Sequence, residues 1–286
     1  MLSYRHAYHA GNIADLLKHW VLVSVLRYMG EKAKPYLYLD THAGAGSYLL
    51  DSPQAQLNRE FQQGIAQLWQ ADDLPDSLNQ YVDVVRGFNQ QRGETALTHY
   101  PGSPIIARSL MRFTPELHDR LTLYERHPQE VLLLQQAFNR ERHIQVIAGD
   151  GFAGLQAALP PPERRAVILI DPPYELKSEP KQVIESLQQA YRRFATGCYL
   201  VWYPVIERQS VHWLERRMQN SGIKNIALFE LCVAPDSPGH GMSGSGMLVV
   251  NPPWKLLADL SANLPYLAAK LAGSSGSYRA QTLVAA

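Results

Sequence analysis

The sequence feature that most constrains the fold is a repeated alternation of short apolar runs with helix-like segments. The runs PYLYLD, LTLYE, HIQVIAGD, AVILID, CYLVWYPV and IALFELCVA each follow a segment whose apolar residues recur at helical spacing. Strands that are joined through helices run parallel, so this order predicts a mostly parallel sheet with helices on both faces. The last run, GMLVVNPPW, follows a loop rich in Gly, Pro and Ser that is too short for a helix, which predicts an antiparallel final strand.

The predicted α/β core is interrupted once. Residues 53–97 contain helix-like segments and few β-branched runs. This composition predicts a small helical subdomain, 53–97, inserted into a core of residues 1–52 and 98–286.

Capping residues mark several helix ends. Asn12 is expected to begin the first helix and Gly30 to end it. Ser103, followed by a proline, is expected to cap the helix in SPIIARSLMRF. The C-terminal segment GSSGSYRAQTLVAA is predicted to be loosely ordered.

Composition and charge exclude several classes of protein. The net charge is +1, from 27 Lys and Arg against 26 Asp and Glu, so the chain is not a general polyanion binder. No apolar run reaches the roughly 20 residues of a membrane span, and the first residues lack the apolar region of a signal peptide. Cys198 and Cys232 lie within apolar runs, which indicates buried thiols in a reduced compartment rather than a disulfide or a zinc site. We therefore expect a cytoplasmic protein.

Acidic residues follow four predicted strands at the points where the strands end. They are Asp40, Glu125, Asp150 and Asp171. Ligands of open α/β sheets bind at the carboxyl ends of the strands. A single acid at such a place is usually a solvated loop residue, but four on successive strands indicate one shared ligand.

The glycine turn after the first strand indicates the class of ligand. Asp40 precedes Gly44 and Gly46, and a carboxylate here repels a pyrophosphate but attracts a cationic nucleoside such as S-adenosylmethionine. Gly44 and Gly46 are expected to let the backbone approach this methyl donor closely. Glu125 is expected to accept hydrogen bonds from the ribose hydroxyls, and Asp150 from the adenine amine. The alternative is a plain loop with no ligand.

The sequence Asp171-Pro172-Pro173-Tyr174 ends a buried apolar run and is the candidate catalytic motif. The exocyclic amine of a nucleobase is a poor nucleophile because its lone pair is delocalised into the ring. The Asp171 carboxylate and the rigidly held Pro172 carbonyl are expected to accept its two N–H bonds and aim the lone pair outward. Tyr174 offers a ring face on which the base can stack, and Asp171 is the expected proton acceptor. The motif does not distinguish methylation of adenine N6 from that of guanine N2 or of a protein glutamine. The alternative without a catalytic function is a rigid turn that ends the strand.

A second segment fits the same pattern. Asn251-Pro252-Pro253-Trp254 also follows an apolar strand. No series of glycines and acids accompanies it, and its strand is the closing one. We therefore expect it to form part of the pocket rim rather than the catalytic centre.

Segments along most of the chain resemble one known family. MLSYRH, HAGN, YLDTHAGAG, YPGSP, LIDPPYE and NPPWKL resemble the RlmJ family, bacterial methyltransferases that modify N6 of one adenine in 23S ribosomal RNA. The resemblance reaches about residue 256. It implies an α/β, Rossmann-like class I S-adenosylmethionine-dependent methyltransferase fold with a seven-stranded sheet and a helical insertion after the first strand.

The resemblance also implies ligands and partners. The donor is S-adenosyl-L-methionine, the product S-adenosylhomocysteine, and the substrate adenine 2030 of 23S rRNA, in RNA that is protein-free or in early assembly. A monomeric enzyme without metal or membrane contact is expected. An RNA-side role is implied for Tyr4. Donor contacts are implied for His19, His42, Ser103, Glu125, Asp150, Gly151 and Asp171.

The N-terminal segment has two interpretations. Its histidines, with Asp15, have spacings found in metal sites, but nothing in the sequence completes a closed ligand set. Lys18 and His19 flank the apolar stripe of the first helix, where they are expected to be half-buried. They are either boundary residues, or the segment folds over the donor, with His19 touching it and Tyr4, His6 and Lys18 facing the RNA.

Three functions therefore stand side by side. The leading hypothesis is methylation of an RNA adenine at N6. The second is methylation of DNA adenine or of another RNA amine. The third is a non-catalytic nucleic-acid-binding accessory protein that retains a decayed donor fold. The intact Asp171-Pro172-Pro173-Tyr174 motif beside an intact glycine turn argues against such decay.

Overall fold

The computed structural model describes residues 5–139, 141–235 and 241–286. Its strands are β1 (Leu37–Asp40), β2 (Ser47–Leu49), β3 (His99–Pro101), β4 (Arg120–Glu125), β5 (Ile144–Ala148), β6 (Ala166–Ile170), β7 (Cys198–Val205), β8 (Ile226–Cys232), β9 (Gly244–Val250) and β10 (Ser277–Val284). Its α-helices are α1 (Ile13–Gly30), α2 (Pro53–Asn58), α3 (Ile65–Trp69), α4 (Asp76–Gln90), α5 (Ser103–Leu110), α6 (Pro128–Ala137), α7 (Gly151–Ala158), α8 (Glu179–Arg193), α9 (Arg208–Gln219) and α10 (Leu256–Ala272). Short 3₁₀ helices occupy His6–Tyr8, Glu60–Gln63 and Gly273–Ser275. Within these described ranges, no helix combines the length and apolarity needed to cross a membrane.

The main sheet has the strand order β10-β8-β9-β7-β6-β1-β4-β5. Strands β7, β6, β1, β4 and β5 pair in parallel, and β9 is antiparallel to both of its neighbours. The chain adds β4 and β5 on one side of β1 and β6 and β7 on the other, so the order reverses between β1 and β6. This topology confirms the predicted Rossmann-like class I methyltransferase fold and puts its ligand crevice at the tips of those two strands.

The sheet has eight strands rather than the seven expected. The segment predicted to be a loose tail forms β10, which pairs antiparallel with β8 along its length. Arg279 of β10 forms an ion pair with Glu215 at 2.6 Å. The strand lies at the edge of the sheet and is partly exposed, so its sequence lacks the continuous apolar run by which a buried strand is recognised.

Helix α10 was also not predicted. Leu256, Leu260, Leu264 and Leu267 are buried along one of its faces. Their spacing is that of an amphipathic helix, but no element is predicted from the sequence between the last predicted strand and the C-terminal segment.

The core covers both faces of the sheet. On β6, Val167 and Leu169 belong to one cluster, while Ile168 and Ile170 belong to the other. A strand that is apolar on both faces is typical of a parallel sheet covered by helices on each side. Cys198 and Cys232 are both buried, as predicted for small core residues.

Helix α1 is an interior helix that brings polar groups into the core. The Asn12 side chain accepts from two backbone amides of the first turn, and the helix ends at Gly30, which confirms the predicted ends. Lys18 and His19 are only 4% and 1% exposed. The expectation that they are half-buried is wrong because the helix is surrounded on all sides and has no solvent face at this point.

The residues between the small paired strands β2 and β3 are largely helical. They include α2, α3 and α4, and the antiparallel β2–β3 ribbon closes the segment at its base. Leu78, Tyr81 and Val85 of α4 belong to the same apolar cluster as α1. The segment therefore shares its core with the sheet domain, and its division as a subdomain of residues 53–97 stays a prediction.

Candidate active site

A cavity of about 380 Å³ lies at the carboxyl ends of β1, β4, β5 and β6. These strands are neighbours in the sheet, so the residues that follow them converge at one edge. Most of the predicted site residues line this cavity: His6, Lys18, His19, His42, Gly44, Ser103, Glu125, Asp150, Gly151, Asp171 and Pro172. Gly46 and Tyr174 do not line it, and Tyr4 lies outside the described residues.

Glu125 ties the glycine turn to the next strand. Its Oε2 accepts a 2.7 Å hydrogen bond from the Gly44 amide, and its Oε1 accepts one of 2.6 Å from the His127 amide. The carboxylate is therefore held by backbone donors at the cavity wall. Each oxygen keeps a further lone pair for a ligand hydroxyl.

The glycines of the turn are required by its packing. Gly44 and Gly46 have φ angles of +61° and +85°, which favour glycine. A Cβ on Gly44 would lie 2.2 Å from the Tyr48 hydroxyl, and one on Gly46 would lie 3.1 Å from Leu134. The expected reason for these glycines was a close approach of ligand, but protein side chains occupy both directions.

Asp40 is turned into the protein. It accepts hydrogen bonds from the Tyr38 hydroxyl at 2.8 Å, the Ser103 hydroxyl at 2.7 Å and the His42 amide at 3.2 Å. Burial raises the pKa of Asp40 to about 6, against the effect of these hydrogen bonds. Asp40 therefore anchors the surrounding loops instead of contacting a ligand.

Ser103 is the first residue of α5 and not its N-cap, which is Gly102. The predicted capping role is wrong because the hydroxyl is engaged by Asp40. Ser103 is nevertheless at the cavity wall, so the implied donor contact stays a prediction.

Asp150 caps the helix that leaves the third strand tip. Its Oδ1 accepts from the Phe152 amide at 2.8 Å and the Ala153 amide at 3.3 Å. The His42 ring packs edge-on against Phe152 with 5.1 Å between centroids. Burial lowers the pKa of His42 to about 4, so this ring is neutral at neutral pH and adds no positive charge to the site.

Asp171 is paired with a buried lysine. Its Oδ2 lies 2.7 Å from the Lys18 ammonium, which is also 2.9 Å from Asp15 Oδ1. Burial opposes the charge of Lys18, but the two carboxylates outweigh it and raise the lysine pKa. The two ion pairs of Lys18 are with these carboxylates, and the predicted role of Lys18 toward the RNA stays a prediction.

Asp15 is the fully buried hub of this group. Its Oδ2 accepts from the Gly11 amide at 2.8 Å and lies 2.9 Å from His6 Nε2. Burial acts to raise the Asp15 pKa, but the interactions with His6 and with the Lys18 ammonium hold it well below its usual value. The N-terminal segment is thereby connected to the candidate catalytic motif through the Asp15 carboxylate and Lys18, a connection that the sequence did not reveal.

His19 lines the cavity, and one of its two ring nitrogens is hydrogen-bonded. Its Nδ1 lies 2.7 Å from the Tyr100 hydroxyl, whereas its buried Nε2 has no hydrogen-bond partner among the described residues. Burial lowers the pKa of His19 to about 3, so the ring is neutral. A buried polar atom without a partner is rare in proteins and calls for an explanation.

Tyr174 is fixed by the neighbouring strand. Its hydroxyl donates to the Trp202 carbonyl at 2.7 Å, and its ring packs edge-on against the Trp202 ring at 5.6 Å. Its φ of +53° is rare outside glycine. The predicted stacking role of Tyr174 stays a prediction.

The second proline motif lies at the amino-terminal ends of the parallel strands, opposite to the cavity. Because β9 is antiparallel, Asn251 follows the strand end that pairs with the start of β7. Its Nδ2 donates to the carbonyls of Ala195 and Gly197 at 2.8 Å each. The prediction that this motif forms the pocket rim is wrong, because its asparagine braces the turn that precedes β7.

Metal ligation is not indicated by the described residues. No group of three or more His, Cys, Asp or Glu side chains in residues 5–139, 141–235 and 241–286 is arranged to hold a metal ion. Three of the cavity residues are engaged in other contacts: Asp171 with Lys18, His19 with the Tyr100 hydroxyl and Glu125 with the Gly44 amide.

Comparison with known proteins gives full-length matches. Residues 33–284 match the family model described as ribosomal RNA large subunit methyltransferase D, RlmJ. The ribosomal RNA large subunit methyltransferase J of Escherichia coli K12 is 48% identical over 271 residues, covering 95% of this chain and 94% of that protein. The protein of the same name from Haemophilus influenzae is 43% identical and covers 93% of each chain.

A solved structure has the same architecture. The crystal structure of protein LPL1258 from Legionella pneumophila has a TM-score of 0.86 and 34% identity, and it covers 96% of this chain and 98% of its own. Its agreement extends over the sheet and the inserted helices alike, since so little of either chain is left unmatched. On the family match and these relatives, the chain belongs to the RlmJ family.

Proposed function

We propose that this protein transfers a methyl group from S-adenosyl-L-methionine to N6 of a single adenine in 23S rRNA, adenine 2030 in the family's numbering. One observation carries the proposal: the Asp171 carboxylate of the DPPY motif shares a cavity with Gly44, Glu125 and Asp150 from three neighbouring strand tips. The names of the relatives, ribosomal RNA large subunit methyltransferases, support ribosomal RNA as the substrate.

The cavity has the chemistry that this donor requires. Glu125 and Asp150 provide carboxylate oxygens for ribose hydroxyls and for the adenine amine. Neutral His19 and His42 leave the acidic character of the wall intact, which favours a cationic ligand. The unpartnered His19 Nε2 offers one further contact. Gly151 and Ser103 complete the proposed donor site, and Gly46 supports it through the turn.

The motif residues activate the target amine. S-adenosylmethionine supplies an electrophilic methyl group on a sulfonium and leaves as S-adenosylhomocysteine. The Asp171 carboxylate and the Pro172 carbonyl accept the two N–H bonds of the amine and direct its lone pair to the methyl carbon. As the new N–C bond forms, the amine becomes cationic and releases one N–H proton to Asp171.

Lys18 keeps the carboxylate in place. Its contact with Oδ2 at 2.7 Å leaves the other oxygen of Asp171 for the amine. Tyr174 is proposed to stack on the base, and Tyr4 and His6 to approach it from the N-terminal segment. A paired adenine is inaccessible, so the target is unpaired or flipped at a cost of a few kcal/mol.

The setting of the reaction is a further part of the proposal. We place the enzyme in the cytoplasm as a monomer that acts on 23S rRNA before ribosomal proteins cover the site. The helical segment 53–97 is proposed as a subdomain beside the RNA path.

The test is methyl transfer from labelled donor to protein-free 23S rRNA and, in parallel, to DNA, with the modified base mapped by mass spectrometry. The proposal expects one N6-methyladenine in the RNA, and none with the Asp171→Ala variant. Label found only in DNA, or on a guanine or ring carbon of the RNA, would contradict it. Calorimetry with S-adenosylhomocysteine separates an enzyme from a binding protein, because an accessory protein that has lost the donor site releases no heat of binding.

A further inference from the structure

A buried chain of hydrogen bonds links the donor site to the helical segment between β2 and β3. His19 Nδ1 of α1 lies 2.7 Å from the Tyr100 hydroxyl of β3, which lies 2.8 Å from the Tyr81 hydroxyl of α4. All three side chains are at most 1% exposed. Solvent therefore cannot supply or remove a hydrogen bond within the chain.

The protonation of the three groups is fixed by their burial. Burial raises the pKa of both phenols, so they keep their protons at neutral pH. Burial lowers the pKa of His19 to about 3, so the imidazole carries a single proton. The chain thus has two phenol protons and one imidazole proton to distribute over its links.

The charge beside His19 selects one of two arrangements of these protons. If Tyr100 donated to Tyr81, the Tyr81 proton would have no acceptor among the described residues, and in the reverse order the His19 Nε2 proton would have none. The reverse order is favoured because the Asp15 carboxylate, with Oδ1 3.9 Å from Nε2, attracts an N–H at that position and would repel a bare lone pair. Tyr81 therefore donates to Tyr100, and Tyr100 donates to His19 Nδ1. The imidazole proton is then on Nε2, the nitrogen that has no hydrogen-bond partner among the described residues, in a ring that lines the cavity.

We infer that Tyr100 and Tyr81 are positioning residues that fix His19 with Nε2–H as a hydrogen-bond donor toward an acceptor atom of the bound methyl donor. The inference rests on the proposed function for the identity of that ligand. The nearest carboxylate, Asp15 Oδ1, is 3.9 Å from Nε2 and too far for a hydrogen bond. The helical segment acquires a role in donor binding through Tyr81, although it does not line the cavity.

Packing between the segment and α1 supports this role. The Trp20 indole donates to the Ser77 hydroxyl at 3.2 Å, one turn before Tyr81 on α4. The His19 and Tyr100 rings also stack, with 5.6 Å between centroids and 26° between planes. The ring of His19 is therefore held at one edge by a hydrogen bond and across its face by the same tyrosine.

The test combines Tyr→Phe variants with a tautomer measurement. Tyr100→Phe is expected to weaken binding of S-adenosylhomocysteine about three- to tenfold, the value of one hydrogen bond, and Tyr81→Phe about two- to threefold. Tyr36→Phe is the matched control, because Tyr36 is equally buried and its hydroxyl has no partner among the described residues. Its affinity is expected to equal that of the unaltered protein. Equal affinities for all variants would overturn the inference.

The nitrogen-15 shifts of His19 test the same claim without ligand. In the unaltered protein, Nε2 is expected to carry the proton and Nδ1 to be an unprotonated acceptor. A proton on Nδ1 would overturn the inference even if Tyr100→Phe fails to fold. If the unaltered protein binds no S-adenosylhomocysteine, the proposed function fails, and the tautomer still decides whether the tyrosines orient His19.

Discussion

Replacing Asp15 with asparagine removes one charge from the fully buried hub and changes little else in shape. Every described partner of this carboxylate is a donor: the Gly11 amide at 2.8 Å, the Lys18 ammonium at 2.9 Å and His6 Nε2 at 2.9 Å. The amide NH₂ of an asparagine must therefore face another donor. Lys18 is left with Asp171 as its only described carboxylate partner.

The expected cost is large because the pair is buried. Breaking a buried ion pair by removing one partner costs about 3–5 kcal/mol. Urea unfolding is expected to report this loss as a lower midpoint at an unchanged m-value. Asp83→Asn is the matched control: Asp83 is 56% exposed and pairs with Arg86 at 3.0 Å, so its loss should cost less than about 1 kcal/mol.

The stability difference between the unaltered protein and Asp15→Asn is expected to depend on pH. The pKa of Asp15 is depressed in the folded protein, so its stabilising effect is complete above the unfolded pKa of about 3.9 and is lost as pH falls through the folded value. The difference between the unaltered protein and Asp15→Asn should therefore narrow only below about pH 4. If Asp15→Asn costs no more than Asp83→Asn at neutral pH, the hub does not hold the site together as described.

Further variants test other parts of the site. The pKa of Asp40 in the folded protein is raised to about 6, above its unfolded value of about 3.9. The ionisation of Asp40 should therefore lower the free energy of unfolding by about 3 kcal/mol between pH 4 and 7. In Asp40→Asn, the free energy of unfolding measured in urea should change less with pH over this range. Asp171→Ala should slow RNA methylation by at least about 100-fold, whereas Asn251→Ala should keep the rate within a few-fold and lose about 1–3 kcal/mol of stability with its two hydrogen bonds. The reverse ranking of the two rates would exchange the roles of the two motifs. Gly44→Ala should weaken binding of S-adenosylhomocysteine about tenfold because its methyl group meets a buried hydroxyl at 2.2 Å, and Gly93→Ala, with φ +77° and open space around it, should leave calorimetric affinity unchanged.

The sequence predicted those parts of the fold and site that depend on regular patterns. Strand tips in a parallel sheet meet at one edge, so Glu125, Asp150 and Asp171 could be placed together from their positions after apolar runs. The cap at Asn12 was predictable because its acceptor lies next to the amides that it satisfies.

The remaining features depend on contacts between distant segments. Asp40 turns inward because Ser103, some sixty positions later in the chain, supplies a hydroxyl at 2.7 Å. Lys18 is buried because Asp171 comes to it from another strand tip. The edge strand β10 pairs with β8 although its own sequence is half polar. Local spacing carries no information on such pairings.

The central claim is that the donor and the DPPY carboxylate meet in the cavity between β1 and β6. A crystal structure of the protein with S-adenosylhomocysteine tests it most directly. The account predicts the ligand sulfur between the glycine turn at Gly44 and the Asp171 side chain, with the ribose hydroxyls within hydrogen-bond distance of Glu125. Ligand bound elsewhere, or a sulfur screened from Asp171 by protein atoms, would contradict it.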